Sequence, residues 1–160
     1  MSRLDALNTL DEDAAVAEFL RCCGSTRWAH AMVRARPFLN LSEMGATADE
    51  VWWSLGRTDW LEAFAAHPRI GEPRSSATSS DEQSGALSAS DEARARLAQY
   101  NHDYEAGFGY IFIVCASGKS AEEMLAIVAT RLMNAPEDEL RMAAEEQRKI
   151  TRLRLAKELA

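Results

Sequence analysis

The segment from residue 65 to residue 71, Ala-Ala-His-Pro-Arg-Ile-Gly, contains the most unusual local arrangement of side chains in this sequence. We expect a helix to end at His67, because Pro68 steers the residue before it out of the α region. An imidazole titrates close to neutral pH, so a histidine held rigidly at the start of a loop is suited to general acid or base catalysis. The alternative is that His67 only contacts the last carbonyl groups of its helix.

A second polar segment covers residues 79–85, Ser-Ser-Asp-Glu-Gln-Ser-Gly. Ser79 with Glu82, and Ser80 with Gln83, have the spacing of a capping box, which predicts the start of a short helix. A helical turn with almost no apolar face is unusual unless its amides and side chains bind a ligand. Glu82 is therefore a candidate for chemistry, and helix capping alone is the alternative.

Arg154 is the third candidate. It lies four residues after Ile150, close to the apolar face predicted for the last helix. An arginine at such a position requires a partner for its guanidinium group, or an anionic ligand. We expect His30 and His102, which fall within predicted helices, to be structural.

The composition argues against several classes of partner and cofactor. The chain has 18 Lys and Arg against 25 Asp and Glu, a formal charge of -7, which disfavours binding to nucleic acid or to an anionic membrane. It lacks a glycine-rich phosphate loop, a His-Glu-x-x-His motif and a Gly-x-Ser-x-Gly motif. Cys22, Cys23 and Cys115 have no zinc-site spacing, so we expect them to be reduced packing residues. We therefore expect no metal and no organic cofactor.

The elements that must position these candidates are helices. Apolar residues make up 47% of the chain and mostly recur every three or four positions, which predicts an all-α fold. The length of 160 residues predicts a single domain covering 1–160, with 68–90 as a loop across it. Capping boxes at Thr47 with Glu50 and at Ser120 with Glu123 mark two helix starts. The predicted helices cover 11–23, 25–36, 47–56, 59–66, 90–106, 121–133 and a last long helix from Pro136.

One segment departs from the helical pattern. Residues 108–116, Phe-Gly-Tyr-Ile-Phe-Ile-Val-Cys-Ala, are β-branched and aromatic, which predicts a buried extended segment. A single strand would have no partner, so the start of a buried helix is the alternative. The longest apolar run, 110–116, is far below the roughly 20 residues that a membrane span needs. We expect a cytoplasmic protein, and a homodimer, because Trp52, Trp53 and Trp60 supply more aromatic surface than a small helical protein readily buries.

Taken together and in order, four motifs resemble the OHCU decarboxylase family, which acts on 2-oxo-4-hydroxy-4-carboxy-5-ureidoimidazoline (OHCU) in urate breakdown. They are His-Pro-Arg-Ile-Gly at 67–71, Glu-Gln with Gly at 82–85, Phe-Gly running into Ile-Phe-Ile-Val at 108–114, and Arg-Leu-Arg-Leu at 152–155. The N-terminal part is also similar, with Cys-Cys-Gly-Ser-Thr-Arg-Trp at 22–28 and Arg-Pro-Phe at 36–38. The resemblance covers nearly the whole chain.

The resemblance implies an all-α, homodimeric carboxy-lyase that needs no cofactor and forms (S)-allantoin. His67 would be the catalytic imidazole and Glu82 its carboxylate companion. The residues that would bind or shape the substrate are Pro68, Ser79, Ser80, Asp81, Gln83, Phe112, Ile113, Val114, Cys115, Ala116 and Arg154. The register of the Leu-Arg-Leu motif assigns Arg154, and not Arg152, as the arginine that binds the substrate. Arg69 is not included among the catalytic residues. Coupling to hydroxyisourate hydrolase, which would supply an unstable substrate, is a further expectation.

Two other functions fit the same residues. The chain could be a non-catalytic, helical, dimeric binding module in which His67 and Glu82 only cap helices. It could also be a cofactor-free acid–base enzyme that uses the same pair on another ring substrate. Faster loss of OHCU in the presence of the protein would separate the first of these from a decarboxylase.

Overall fold

The computed structural model describes residues 1–70, 82 and 90–159. In these residues the regular secondary structure is entirely helical, which confirms the all-α prediction. We number in chain order the eight helices whose bounds lie within the described residues, and none of them is long and apolar enough to cross a membrane. They are α1 (Arg3–Thr9), α2 (Glu12–Cys22), α3 (Thr26–Arg34), α4 (Leu41–Ser54), α5 (Arg57–Ala65), α6 (Asp91–Phe108), α7 (Ala121–Arg131) and α8 (Pro136–Leu159).

The chain forms two compact units. Unit 1 consists of Met1–Ala66 and Gln147–Ala160, and unit 2 of His67–Glu146. Helix α8 contributes its first half to unit 2 and its second half to unit 1. The single domain expected from the length stays a prediction.

Side-chain caps set most of the helix starts. Ser90 and Ser120 accept hydrogen bonds from the amides of Ala93 and Glu123, and Ser120 with Glu123 forms the predicted capping box. Helix α6 ends at Phe108 and is capped by Gly109, whose φ of +86° is a left-handed conformation that favours glycine. These ends agree with the sequence to within a few residues.

The capping box predicted at Thr47 is wrong. Helix α4 begins six residues earlier, at Leu41, where the Asn40 side chain accepts a hydrogen bond from the Glu43 amide. Thr47 therefore lies inside the helix. Thr47 and Glu50 have the spacing of a capping box by chance, because Ser/Thr-x-x-Glu also occurs on the exposed faces of helix interiors.

The core of unit 1 is aromatic. The ring of Phe19 lies edge-on to Trp28, with centroids 5.8 Å apart, and to Phe38, at 6.4 Å. The Trp28 indole donates a hydrogen bond to the Ala48 carbonyl at 3.2 Å, so its polar atom is satisfied within the core.

The tryptophans that predicted a dimer pack on one another within unit 1. Trp60 lies 6.0 Å from Trp52 and 5.8 Å from Trp53 between ring centroids, and its indole donates to the Trp52 carbonyl. Trp52 is buried, and Trp53 and Trp60 are half-buried. The aromatic surface left for a partner is therefore smaller than the sequence suggested.

The core of unit 2 is formed by α6, α7 and the segment before α7. Leu97 and Tyr104 of α6 pack with Met124 and Val128 of α7. Residues 112–116 are buried and belong to no helix or strand, and the alternation of Phe112, Val114 and Ala116 in the core fits an extended backbone. The alternative of a buried helix start is therefore wrong for these residues, whereas Phe108, the first residue of the predicted segment, is the last residue of α6. We call residues 112–116 the extended segment.

Candidate active site

His67 lies on a turn that unit 2 holds firmly. Helix α5 ends at Ala65, and His67, which is half-buried, follows two residues later. Beyond it, the Arg69 guanidinium forms a two-pronged ion pair with the Glu105 carboxylate of α6. The Asn101 amide of the same helix donates to the Ile70 carbonyl at 2.9 Å. The backbone after His67 is thus fixed to one face of α6, which is the rigid mounting that the proline suggested.

The backbone before His67 is also closely packed. In unit 1, a Cβ atom added at Gly24 would lie 2.5 Å from the Ala66 Cβ, well inside van der Waals contact. The loop between α2 and α3 therefore needs glycine at this position to approach the end of α5. This close approach gives a physical reason for the glycine in the Cys-Cys-Gly-Ser motif at residues 22–25.

Glu82 and the extended segment lie close together in unit 2. Burial is the main cause that raises the pKa of the Cys115 thiol, and the Glu82 carboxylate is near enough to raise it further. Glu82 itself is helical and half-buried. The other residues predicted for this binding turn, Ser79, Ser80, Asp81 and Gln83, lie outside the described residues.

The side chains of the extended segment alternate between two faces. Phe112, Val114 and Ala116 belong to the core of unit 2, so a role for them in binding would fall to their main-chain atoms. Ile113 and Cys115 are buried but lie outside that core cluster, on the other face. The predicted role of these two side chains in binding a ligand stays a prediction.

Charged side chains bind the peptide groups of the extended segment. The Ile113 carbonyl accepts a hydrogen bond from Arg131 at 2.5 Å, and the Cys115 amide donates to Glu146 at 3.1 Å. The Cys115 carbonyl accepts from the Lys119 ammonium at 2.7 Å. These contacts supply what a neighbouring strand would supply in a sheet.

Arg131 is also the centre of a buried network. Its guanidinium binds the Glu139 carboxylate at 2.5 Å and lies 4.6 Å from the centroid of the Phe112 ring. The Tyr104 hydroxyl donates to the same carboxylate, and burial is the main cause that raises the pKa of Tyr104. Sequence reasoning missed this network. The signal was present, because Arg131 continues the apolar face of α7 that contains Met124 and Val128.

The two candidate arginines of unit 1 have different surroundings. The Arg152 guanidinium lies over Gly45 of α4, 3.9 Å from the Asp49 carboxylate. Arg154 lies near Cys22 and Cys23, where its charge offsets a small part of the burial that raises the pKa of each thiol. Arg152 therefore contacts α4, and the choice of Arg154 as the substrate arginine stays a prediction.

These features define a small helical protein with an imidazole on a fixed turn and a carboxylate beside a buried extended segment. Within the described ranges, groups of three or more His, Cys, Asp or Glu that could hold a metal ion are absent. The imidazole of His67 and the carboxylate of Glu82 are suited to proton transfer, and main-chain groups can supply hydrogen bonds.

Comparison with known proteins identifies the family. The family model for OHCU decarboxylase matches residues 8–156. The uric acid degradation bifunctional protein TTL of Arabidopsis thaliana is 44% identical over 149 residues, covering 88% of this chain and 46% of its own length. The 2-oxo-4-hydroxy-4-carboxy-5-ureidoimidazoline decarboxylase of Amia calva is 34% identical over 136 residues, covering 79% of this chain and 77% of its own length.

A solved structure agrees with the sequence matches. A crystal structure of OHCU decarboxylase in the presence of (S)-allantoin superimposes with a TM-score of 0.79 at 42% identity, covering 88% of this chain and 95% of that one. The chain belongs to the OHCU decarboxylase family, which confirms the resemblance found in the sequence. It spans about half the length of the Arabidopsis relative.

Proposed function

We propose that this protein is a cofactor-free carboxy-lyase that converts OHCU to (S)-allantoin in urate degradation. Membership of the family over residues 8–156 is the observation that carries the proposal. The fixed turn of His67 and the nearness of Glu82 to the extended segment support it independently.

The reaction can proceed without a borrowed electron sink. Cleavage of the bond to the carboxylate releases carbon dioxide and leaves an electron pair on the ring carbon. The neighbouring carbon–nitrogen double bond of the substrate accepts that pair, and one proton is then added to the carbon. The protein has only to orient the carboxylate, stabilise the developing charge and deliver the proton to one face.

The residues of this chain can be given roles in those steps. His67 delivers the proton or orients the departing carboxylate, and Glu82 fixes its tautomer or shares its proton. Arg154 binds the anionic substrate, which a local positive charge can attract despite the net charge of -7. Pro68, the segment 79–83 and the extended segment complete the pocket. His67, Glu82 and Arg154 are the residues on which the proposal depends most.

Turnover of the wild-type protein and of isosteric variants tests the proposal. OHCU is made in situ from urate with urate oxidase and hydroxyisourate hydrolase, and circular dichroism follows the (S)-allantoin formed. His67→Gln and Glu82→Gln should each lower turnover roughly 10²–10⁴-fold with the fold intact, which is the usual effect of losing a general acid or base. The double variant should be scarcely worse, because the two groups act as a unit.

His102→Gln is the matched control, since His102 is an exposed histidine of α6, and it should turn over like the wild type. A wild-type rate no faster than spontaneous decay would favour the binding module. A third outcome is that the His67 and Glu82 variants turn over normally and lose about 1 kcal/mol of stability. That result would show that both residues act only as helix caps. Activity on a different ring compound alone would favour the other acid–base enzyme.

We also propose a homodimer and a functional link to hydroxyisourate hydrolase. The half-buried faces of Trp53 and Trp60 support the first, and the bifunctional character of the Arabidopsis relative supports the second. Sedimentation at micromolar concentration tests the dimer, and a monomer would contradict it. A cytoplasmic location is proposed as well, supported by three free cysteines, and cell fractionation checks it.

A further inference from the structure

Glu146 is a buried carboxylate with an unusual partner. Its side chain in the first half of α8 is 7% exposed, and it accepts a hydrogen bond from the main-chain amide of Cys115 at 3.1 Å. Burying a carboxylate is unfavourable unless hydrogen bonds compensate it. An apolar residue would fill the same space at a lower cost, so packing alone does not explain an acid here.

The contact acts on the main chain of the extended segment at Cys115, whose thiol is also influenced by the Glu82 charge. The two peptide groups that flank the Cys115 Cα are both held, one by Glu146 and the other by Lys119. Because the segment has no regular strand partner in the described residues, these side chains determine where its backbone lies. The Glu82 carboxylate is close to the Cys115 side chain on the same stretch.

We propose that Glu146 is a positioning residue of the decarboxylase site. By holding the Cys115 amide, it sets the position of the Ile113 and Cys115 face of the segment relative to Glu82 and to the bound substrate. Lys119 completes the same function from the carbonyl side of Cys115. The inference rests on the proposed function, because it concerns the substrate of that reaction.

The hydrogen bond predicts which substitutions are tolerated. Glu146→Gln keeps a carbonyl oxygen that can accept from the Cys115 amide, whereas Glu146→Leu fills the space without an acceptor. We expect Glu146→Leu to raise the KM for OHCU and the Kd for (S)-allantoin by about tenfold, with kcat changed less than about threefold, because it removes an interaction that aids binding. Glu146→Gln should stay within about twofold of the wild type for both constants.

Two further variants separate positioning from general stability. Lys119→Met removes the second main-chain contact from a half-buried side chain, so it should fold and raise the same two constants in the same direction. Val128→Ala is the matched control, because Val128 lies in the core of unit 2 without binding the main chain of the segment. It should lower the melting temperature and leave both constants unchanged.

Steady-state kinetics, calorimetric titration with (S)-allantoin and thermal unfolding are measured for the five proteins. The inference is overturned if Glu146→Gln is as defective as Glu146→Leu, or if Lys119→Met leaves both constants at the wild-type value. It is also overturned if Val128→Ala raises them as much as Glu146→Leu does. A wild-type protein that binds (S)-allantoin but does not accelerate OHCU decay would instead contradict the proposed function.

Discussion

The two units differ in the kind of polar side chain that they bury. In unit 1 the buried polar residues are all neutral, and they are Ser25, Gln147 and Thr151. Among the residues of unit 2 that the structure describes, three of the four are charged, namely Arg131, Glu139 and Glu146, with Asn101 as the fourth. Both units are otherwise helical with apolar cores, so helix packing does not explain the difference.

The difference follows from the backbone. Helices satisfy their own peptide groups, so the core of unit 1 needs few polar partners. Unit 2 buries an extended segment that has no strand beside it in the described part of the chain, and side chains bind several of its peptide groups. Arg131 and Glu146 bind two of these groups directly. Buried charge in this protein therefore accompanies buried non-helical backbone.

The largest expected effect tests that relation. Arg131→Met should lower the free energy of unfolding by about 3–5 kcal/mol, because it leaves Glu139, which is fully buried, without its ion-pair partner. Adding Glu139→Leu should recover part of the loss, but the Ile113 carbonyl stays unpaired, so a deficit of about 1–3 kcal/mol should remain. Urea unfolding measures both. A double variant as stable as the wild type would show that the charges are not needed for the extended segment.

Unit 1 should be sensitive to volume instead of charge. Gly24→Ala places a methyl group against Ala66 and should lower stability by about 1–3 kcal/mol, the usual cost of overpacking. Ala66→Gly in the same chain should restore much of it. Gly56→Ala is the control, since a Cβ there meets nothing within 4 Å, and it should change thermal unfolding little. Failure of Ala66→Gly to rescue Gly24→Ala would mean that the close approach is not the cause.

The smallest effect concerns alkaline pH. Burial raises the pKa of Cys22 from 9.0 to about 12, so above pH 9 the unfolded chain releases a proton that the folded chain retains. This contribution to stability is complete below pH 9 and is lost as the pH rises towards 12. The loss reaches about 1.4 kcal/mol at pH 10. Cys22→Ala should flatten the pH dependence of urea unfolding between pH 9 and 11, and an unchanged slope would contradict the prediction.

Much of the fold could be predicted from the sequence, since helix ends are determined by local signals. Ser90, Ser120 and Pro136 were identified correctly because caps and proline act on the nearest turn. Asn40 was missed as the N-cap of α4 because Thr47 and Glu50 also have the spacing of a capping box. A pattern of four residues cannot show which of two possible helix starts is used. The extended character of 112–116 was predictable from β-branched and aromatic residues.

The partners of the site residues could not be predicted in the same way. Arg69 meets Glu105 across 36 positions, and Cys115 meets Glu146 across 31, so only the folded chain brings them together. The roles of His67, Glu82 and Arg154 came from the resemblance to a family and stay predictions. The contact of Arg152 with Gly45 and Asp49 was likewise beyond the reach of the sequence, because α4 and the end of α8 are about a hundred positions apart.

The division of α8 between the units has a consequence for how the chain acquires its structure. Unit 2 is continuous in sequence, so its contacts can form as soon as residues 67–146 have been synthesised. Unit 1 is interrupted, and Arg21 of α2 meets Glu158 of α8 across 137 positions. Closing so long a loop is slow compared with forming local helices. During translation the N-terminal helices can therefore pack on one another early, but they lack α8 until the ribosome has released its last turns, which makes unit 1 the later of the two to be completed.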